Sequence, residues 1–294
     1  MENSHISWTD NTHNEWTGCT KVSAGCDNCY AERLMDTRLG RVQWGKGNAR
    51  QLTSEANRRK PFAWERRAIK ENRRFSVFTA SLSDVFDEEV PDEWRDALFE
   101  TIRNTPHLAW LVLTKRLAKM LRYVDSLPPG MRPTNVWWGC SVENQATADQ
   151  RIPELLKLRQ LVGDAPLWLS VEPLLGEINC FSWLRPTYRS CQQGDSPMIA
   201  QLARAAAAKQ WGSGFIDWVI VGGESGPGAR PMHPDWARSL RDQCVAAGVP
   251  FHFKQWGEWL PISQDDGARI ADCVTKPRPV RPRARRADDR AAGL

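Results

Sequence analysis

Short apolar segments alternate with amphipathic segments along most of the chain after residue 74. The apolar segments are rich in β-branched and aromatic residues and occupy residues 75–79, 109–113, 135–139, 167–171, 216–221 and 250–253. Their length and composition predict buried β-strands. Between them, apolar positions recur with helical spacing, as in residues 92–103, 148–160 and 234–247, and predict connecting helices. The pattern therefore indicates an α/β fold in which helices cover a parallel sheet.

A repeated strand–helix unit of this kind favours a complete or partial (β/α) barrel of about six or seven parallel strands. Residues 6–8 would supply the first strand. A doubly wound open sheet is the alternative, because one sequence does not reveal the order of the strands. In both architectures ligands bind at the carboxyl ends of the strands, so we expect functional residues directly after the predicted strands.

Three segments interrupt the repeat. Residues 41–74 form a basic insertion, and residues 180–214, with an alanine-rich helix near residues 198–210, form an insertion or a cover over one rim. Residues 263–294 are rich in Pro and Arg, have few apolar residues to bury and predict a flexible basic tail. We therefore assign residues 1–262 to a single barrel domain.

The composition is that of a globular protein. The 294-residue chain is 41% hydrophobic and 26% charged, which excludes a disordered chain. It has no uncharged apolar run of about 18 residues, the length of a membrane span, and it begins with a polar segment. We therefore expect a protein of the cytoplasm that neither spans a membrane nor is secreted.

Positive charge is concentrated in parts of the chain. The formal net charge is +5, yet residues 41–74 alone contain eleven Lys or Arg against three Glu. Blocks of this kind bind phosphate-rich partners, so DNA or RNA is a candidate partner. The candidate contacts are Arg58, Arg59, Arg66 and Arg67. The alternative is a solvated helix face that binds nothing.

Ionisable residues and glycines follow the predicted strands. The candidates are Asp84, Lys115, Arg116, Glu143, Glu172, Gly222, Gly223, Glu224 and Lys254. Carboxylates at these positions can hold an ammonium group or a ribose, and Lys or Arg can bind a carboxylate or a substrate phosphate. The glycines allow close approach of the backbone to a ligand. Helix capping and ordinary loop polarity are the alternative explanation for the same residues.

Three cysteines, Cys19, Cys26 and Cys29, form a C-x6-C-x2-C pattern near the amino terminus. Clustered thiols in a reducing compartment bind metal more often than they form disulfides. Three thiolates suit a four-iron four-sulfur cluster whose fourth iron stays open to a cofactor or substrate. Alternatively, His13 or His5 completes a structural zinc site with three cysteines and one histidine. The third alternative is three unrelated buried thiols. The spacing leaves cluster and zinc equally open, and a position at the mouth of a barrel favours the cluster.

The sequence around these cysteines, WTGCTKVSAGCDNCYAE at residues 16–32, resembles the phage and bacterial three-Cys-motif family of radical-SAM-like proteins. The resemblance covers most of residues 5–260. It continues in SLSDVF at residues 81–86, LTKR at 113–116, GCSVE at 139–143, SVEPLLG at 170–176, VGGESG at 221–226 and FKQWG at 253–257.

This resemblance implies a barrel of the radical-SAM type, a four-iron four-sulfur cluster on the three cysteines, and S-adenosylmethionine as cofactor. It also implies an electron donor, a three-Cys-motif partner protein and, if a phage encodes the chain, the host cytoplasm. The chain departs from the usual radical-SAM pattern, which has a three-residue first gap and an aromatic residue just before the third cysteine. Here the first gap is six residues and Asn28 precedes Cys29.

Two hypotheses about function follow. In the first, the chain is an enzyme that cleaves S-adenosylmethionine reductively and modifies an unknown substrate, for which nucleic acid is the specific candidate. Its cofactor-binding candidates are Asp84, Glu143, Glu172, Gly222, Gly223 and Glu224. In the second, the chain is a non-catalytic nucleic-acid-binding protein with a structural zinc ion.

Overall fold

The computed structural model describes residues 2–184 and 215–259 of the chain. Its strands are β1 (Asn11–His13), β2 (Trp16–Thr17), β3 (Gln51–Leu52), β4 (Phe75–Thr79), β5 (Leu108–Thr114), β6 (Val136–Ser141), β7 (Leu167–Val171), β8 (Trp218–Gly222) and β9 (Phe251–Gln255). Strands β2 and β3 form a separate antiparallel pair. The other seven form one curled sheet in the order β1, β4, β5, β6, β7, β8, β9, and all neighbours are parallel.

This strand order distinguishes between the two predicted architectures. A doubly wound sheet reverses its strand order at a switch point, whereas these seven strands follow one another in chain order. The fold is therefore an α/β partial barrel, as predicted. The predicted first strand at residues 6–8 is wrong, because β1 begins at Asn11 and residues 6–8 instead place Trp8 inside the curled sheet.

The described helices are α1 (Tyr30–Glu32), α2 (Glu55–Arg58), α3 (Lys60–Glu71), α4 (Asp92–Arg103), α5 (Leu117–Ser126), α6 (Gln145–Lys157), α7 (Arg159–Val162) and α8 (Pro234–Ala247). Helix α6 begins with a capping box in which the side chains of Asn144 and Thr147 bond the opposite backbone N–H groups. Helix α8 has Pro234 in its first turn and ends at Gly248, which adopts the left-handed conformation. The bounds of α4 and α8 are those predicted from the sequence.

The main hydrophobic core lies between the convex face of the sheet and these helices. Strand residues such as Trp110 and Trp138 pack there against helix residues such as Leu98, Ile152 and Leu240, and all five are buried. Continuous apolar strands are buried on both faces, which explains why the sequence pattern did not alternate.

A second cluster, of aromatic and aliphatic side chains, fills part of the concave face. It consists of Trp8, Phe78, Leu111, Trp168 and Ile220. The ring of Trp8 lies 4.6 Å from that of Phe78 and 5.5 Å from that of Trp168, measured between centroids. The inside of the partial barrel is thus closed by packed rings below the level at which the strands end.

The basic insertion is folded against the barrel rather than separate from it. It contains β3, α2 and α3, and α3 buries Trp64 and Ala68 in the main core. The predicted helix near residues 198–210 and the predicted tail at residues 263–294 lie outside the described residues, as does most of the insertion at 180–214. Among the helices described, none has the length and hydrophobicity needed to cross a bilayer.

Candidate metal centre and its pocket

A pocket of about 520 Å³ opens at the carboxyl ends of the parallel strands. It is lined by residues at the ends of six strands, or just after them, and by the loop that contains the three cysteines. The predicted site residues among its lining are Cys19, Cys26, Cys29, Asp84, Lys115, Arg116, Glu172, Gly223, Glu224 and Lys254. Parallel strands end at the same edge of a sheet, so side chains far apart in sequence meet there.

The cysteine loop comprises residues 18–29, and the local backbone structure positions each of its three cysteines. Gly18 has a φ of +104°, which favours glycine, and its N–H donates to the carbonyl of Leu82. Cys26 ends a single 3₁₀ turn, and Cys29 is the residue immediately before α1. Helix α1 continues as a π-helical turn over Arg33–Arg38, a conformation that is common at functional sites.

The first attachment of the cysteine loop joins it to the ends of β4 and β5. The Arg116 guanidinium donates to Oδ2 of Asp84 at 2.9 Å and to the carbonyl of Thr20 at 2.6 Å. The same group donates to Sγ of Cys19 at 3.6 Å. Arg50 holds the same part of the loop independently, with 2.6 Å from its Nη2 to Oγ1 of Thr20. Asp84 and Arg116 therefore bond to each other, and Arg116 also bonds to the cysteine loop.

The second attachment joins the loop to the end of β6 through Glu143. The Ser23 hydroxyl donates to Oε1 of Glu143 at 2.6 Å, and Arg151 donates to both carboxylate oxygens. Lys115 Nζ lies 3.6 Å from Oε1. Burial alone would raise the pKa of Glu143, but Lys115, Arg151 and the Ser23 hydroxyl outweigh it and hold the pKa below its usual value.

The third attachment joins the loop to the segment after β8. Glu224 accepts hydrogen bonds from the Arg230 guanidinium at 2.6 and 2.9 Å and from the Asn28 amide at 3.0 Å. Arg230 in turn donates to the carbonyl of Ala24 at 2.8 Å. Burial would raise the pKa of Glu224, but its bonds to Arg230 and Asn28 lower it overall. Asn28 is thus a link between the cysteine loop and the segment after β8.

The opposite wall of the pocket contains an ion pair. Lys254 Nζ, at the end of β9, lies 2.9 Å from Oε1 of Glu172, which follows β7. Gly222 leaves space for this carboxylate, since a Cβ there would lie 2.5 Å from Oε1 of Glu172. Both charged side chains are partly exposed to the pocket. The floor of the pocket is apolar and includes Ile6, Trp8, Phe78 and Leu113.

The three thiols of the pocket are partly buried. Cys19, Cys26 and Cys29 form no disulfide. Burial raises the pKa of Cys19 to about 12, with a further contribution from Asp84, and burial also raises the pKa of Cys29. A metal that binds thiolates must displace these protons, so its binding would release them.

The donor set, three thiols that line one pocket, matches in kind and number what a four-iron cluster with one open iron would need. A zinc ion in a tetrahedron, with Zn–S bonds of about 2.3 Å, requires its sulfurs roughly 3.8 Å apart. In the part of the chain that the structure describes, no three His, Cys, Asp or Glu side chains converge closely enough for a single ion. Each cysteine of an iron–sulfur cluster binds a different iron. The cysteine sulfurs therefore lie further apart than around a single zinc ion, although they all face the same cavity.

The histidines proposed to complete a zinc site lie elsewhere. His13 is buried, its Nε2 lies 3.0 Å from Oε2 of Glu15, and its ring packs against Trp64 and Trp110. His5 is exposed and does not line the pocket. This placement contradicts the site of three cysteines and one histidine, because β1 directs His13 towards the convex core.

The basic residues predicted to contact nucleic acid lie on α2, on α3 and, for Arg59, between these two helices, away from the pocket lining. Arg59 pairs with Glu55 at 3.4 Å, and Arg67 pairs with Glu2 and Glu71. Arg58 lies 3.9 Å from Glu15, and Arg66 is exposed. The structure therefore does not bring these four arginines into the candidate site.

Sequence reasoning missed Ser23, Asn28, Arg151 and Arg230, which hold the cysteine loop. Arg230 lies in the segment that follows β8, and this position was its only signal in the sequence. The other three carry no signal that separates them from ordinary polar residues.

Comparison with protein families gives one match that spans almost the whole chain. The family described as "Protein of unknown function (DUF5131)" matches residues 3–292. The chain belongs to this family. No curated protein sequence matches it.

Comparison with solved structures shows the fold of this DUF5131 protein. A spore photoproduct lyase mutant is 14% identical, with a TM-score of 0.50 over 86% of this chain and 78% of that one. A spore photoproduct lyase complexed with dinucleoside spore photoproduct is 14% identical, with a TM-score of 0.46 over 81% and 75%. A sugar phosphate isomerase/epimerase of Anabaena variabilis is 12% identical, with a TM-score of 0.33 over 91% and 95%. The first likeness shows that the chain shares the partial-barrel fold of that lyase.

Proposed function

We propose that this DUF5131 protein is a radical-SAM-type enzyme, in which Cys19, Cys26 and Cys29 hold a four-iron four-sulfur cluster and S-adenosylmethionine binds beside it. One observation supports this most directly. The three cysteines line a single pocket at the carboxyl ends of a partial barrel, which is where barrel enzymes place their chemistry. The resemblance to the three-Cys-motif family stays a prediction that agrees with this proposal.

The chemistry assigned to the site depends on the cofactor and on the residues around it. When bound, the cluster and S-adenosylmethionine supply reductive cleavage of the cofactor, for which an electron donor is required. Three protein ligands leave the fourth iron for the cofactor. The protein's part is to hold the cysteine loop rigidly through Arg116, Glu143 and Arg230, and to exclude water with the apolar pocket floor.

The pair of Glu172 and Lys254 is the best candidate for contact with the cofactor or substrate. Both side chains face the pocket, and their strongest interaction is with each other. A zwitterionic ligand can satisfy both charges at once, because its ammonium meets the carboxylate and its carboxylate meets the ammonium. Glu224 and Glu143 bond the cysteine loop directly, through Asn28 and Ser23, and Asp84 orients Arg116, so we assign these three carboxylates to loop positioning instead.

The proposal is tested by anaerobic reconstitution with iron and sulfide. We expect about four iron and four sulfide per chain, and 5′-deoxyadenosine after addition of S-adenosylmethionine and a strong reductant. The triple substitution Cys19→Ser, Cys26→Ser, Cys29→Ser should abolish both. Cys140→Ala is the matched control, because it removes a thiol that is buried in the convex core. One equivalent of zinc with no iron or sulfide would refute the proposal.

Nucleic acid stays the predicted substrate, and a three-Cys-motif partner protein stays a second predicted partner. The support for nucleic acid is the excess of Lys and Arg in residues 41–74, part of which is exposed on α2 and α3. Affinity for duplex or single-stranded oligonucleotides should fall steeply with salt. Changing Arg58, Arg59, Arg66 and Arg67 to Gln should flatten that dependence. Affinity that is independent of salt, or unchanged in this variant, would contradict a nucleic-acid substrate bound here.

A further inference from the structure

One interaction reaches a cysteine sulfur directly. Nη1 of Arg116 lies 3.6 Å from Sγ of Cys19, within the range of a hydrogen bond to sulfur. No more than about a tenth of the Arg116 side chain is exposed, so solvent screens its charge weakly. The guanidinium is oriented by Asp84 on one side and by the Thr20 carbonyl on the other.

Two carboxylates, those of Asp84 and Asp87, lie beside the Arg116 guanidinium. Asp84 lies 2.9 Å from the guanidinium of Arg116, and Asp87 lies 3.7 Å from it. Asp87 is also neutralised by Arg50 at 2.7 Å. If Arg116 lost its charge, Asp84 would remain close to Cys19 without its cation. The balance of charge at this sulfur therefore depends on Arg116 and Asp84 in opposite senses.

We propose that Arg116 raises the reduction potential of the cluster by donating a charged hydrogen bond to the Cys19 ligand, and that the Asp84 carboxylate lowers it. This inference rests on the proposed function. A one-electron reduction makes an iron–sulfur cluster more negative, and hydrogen bonds and positive charge at its sulfurs favour the reduced form. Arg116 is thus a tuning and positioning residue, since it acts through Cys19.

Substitution at the two positions gives opposite expectations. Arg116→Gln removes the cation, and the ratio of reduced to oxidised cluster at a fixed ambient potential should fall about tenfold or more. For a one-electron couple, each tenfold change equals 59 mV towards lower potential. Asp84→Asn keeps Arg116 and removes the opposing anion, so the same ratio should rise. The loop should stay attached in Arg116→Gln, because Arg50 still binds Thr20.

The measurement is a spectroscopic redox titration of the reconstituted chain without S-adenosylmethionine, together with iron and sulfide content. Arg159→Gln is the matched control, because it breaks a 2.6 Å ion pair between Arg159 and Asp217. Asp217 lies just before β8, at the edge of the sheet opposite the pocket. This control should leave the ratio unchanged. A merely structural role would lower cluster content in both test variants without opposite shifts.

The outcomes separate this inference from the function on which it rests. If the unmodified chain takes up no iron and sulfide, the proposed function fails and the inference with it. If the cluster forms and the two variants leave the ratio unchanged, or shift it in the same direction, the inference alone is overturned. If Arg116→Gln does not retain iron, Asp84→Asn decides: a rise supports the inference and any other result overturns it.

Discussion

Gly25 lies so close to Glu143 that a Cβ on the glycine would come 2.4 Å from Cγ of the glutamate. This contact joins the middle of the cysteine loop to the end of β6. The glutamate cannot easily move aside, because Arg151 and the Ser23 hydroxyl fix its carboxylate. The absence of a side chain at position 25 is therefore a requirement of the site.

Replacing this glycine should displace the cysteine loop. Gly25→Ala should lower the free energy of unfolding by about 1–3 kcal/mol, as overpacking usually does, and should reduce the iron retained after reconstitution. Urea unfolding and iron analysis measure the two effects. Gly130→Ala is the control, because a Cβ there meets nothing within 4 Å. Equal stability and iron content in the two variants would contradict this account of Gly25.

Two neighbouring glycines, Gly222 at the end of β8 and Gly223 just after it, should respond differently to the same substitution. A Cβ on Gly223 would lie 1.9 Å from the backbone oxygen of Trp256, which cannot move without β9. A Cβ on Gly222 would meet the Glu172 carboxylate, the end of a flexible side chain. We expect Gly223→Ala to destabilise the chain more than Gly222→Ala in urea unfolding. The reverse order would show that the β9 backbone yields more readily than the Glu172–Lys254 pair.

Stability should depend on pH through Glu224. Its pKa is held below the ordinary carboxyl value of 4.5, mainly by Arg230 against the effect of burial. A carboxylate of this kind stabilises the fold above pH 4.5 and loses that effect as the pH falls through its lower folded value. The Glu224→Gln variant should therefore be less stable than the unmodified chain at pH 7, and the difference should shrink in acid.

Unfolding by urea at several pH values measures this difference. Glu177→Gln, which removes an exposed carboxylate, is the control and should follow the unmodified chain at every pH. A gap between the Glu224→Gln variant and the unmodified chain that stays constant down to pH 3 would contradict the role given to the Arg230 pair.

Removing the ring of Trp8 should open the inside of the partial barrel. Trp8 packs against Phe78, Trp168 and Trp218 with centroid distances of 4.6, 5.5 and 6.2 Å. Trp8→Ala should cost about 3 kcal/mol or more, since a large buried ring is replaced by a cavity. Trp8→Phe should recover most of that loss. Equal urea midpoints for Trp8→Ala and the unmodified chain would show that the ring does not support the pocket floor.

The sequence predicted the elements whose pattern is strong and local. Helices α4 and α8 match their predicted bounds, because an amphipathic face coincides with acidic or Pro starts and polar or Gly ends. The sequence pattern misplaces strand β1 because the strand is short and polar, and its buried His13 pairs through Nε2 with Glu15. Periodicity gives no signal for a strand of this kind.

For the candidate site, the sequence predicted the residues that line it better than the contacts that hold it. The cysteines and strand ends could be found because fold class places them at one edge of the sheet. The bond between Asn28 and Glu224 spans 196 positions, and no local rule connects them. The same holds for Gly25 and Glu143, whose fit depends on the curvature of the sheet.

The bond from Arg230 to the Ala24 carbonyl sets an order of events during synthesis. The cysteine loop is made about two hundred residues before Arg230, which bonds it to the segment after β8. Until that segment is made, a nascent chain holds the loop through Arg50, Arg116 and Glu143, and Asn28 lacks its partner Glu224. If the site takes the proposed cluster, the cluster should therefore be inserted after the segment that follows β8 has been synthesised.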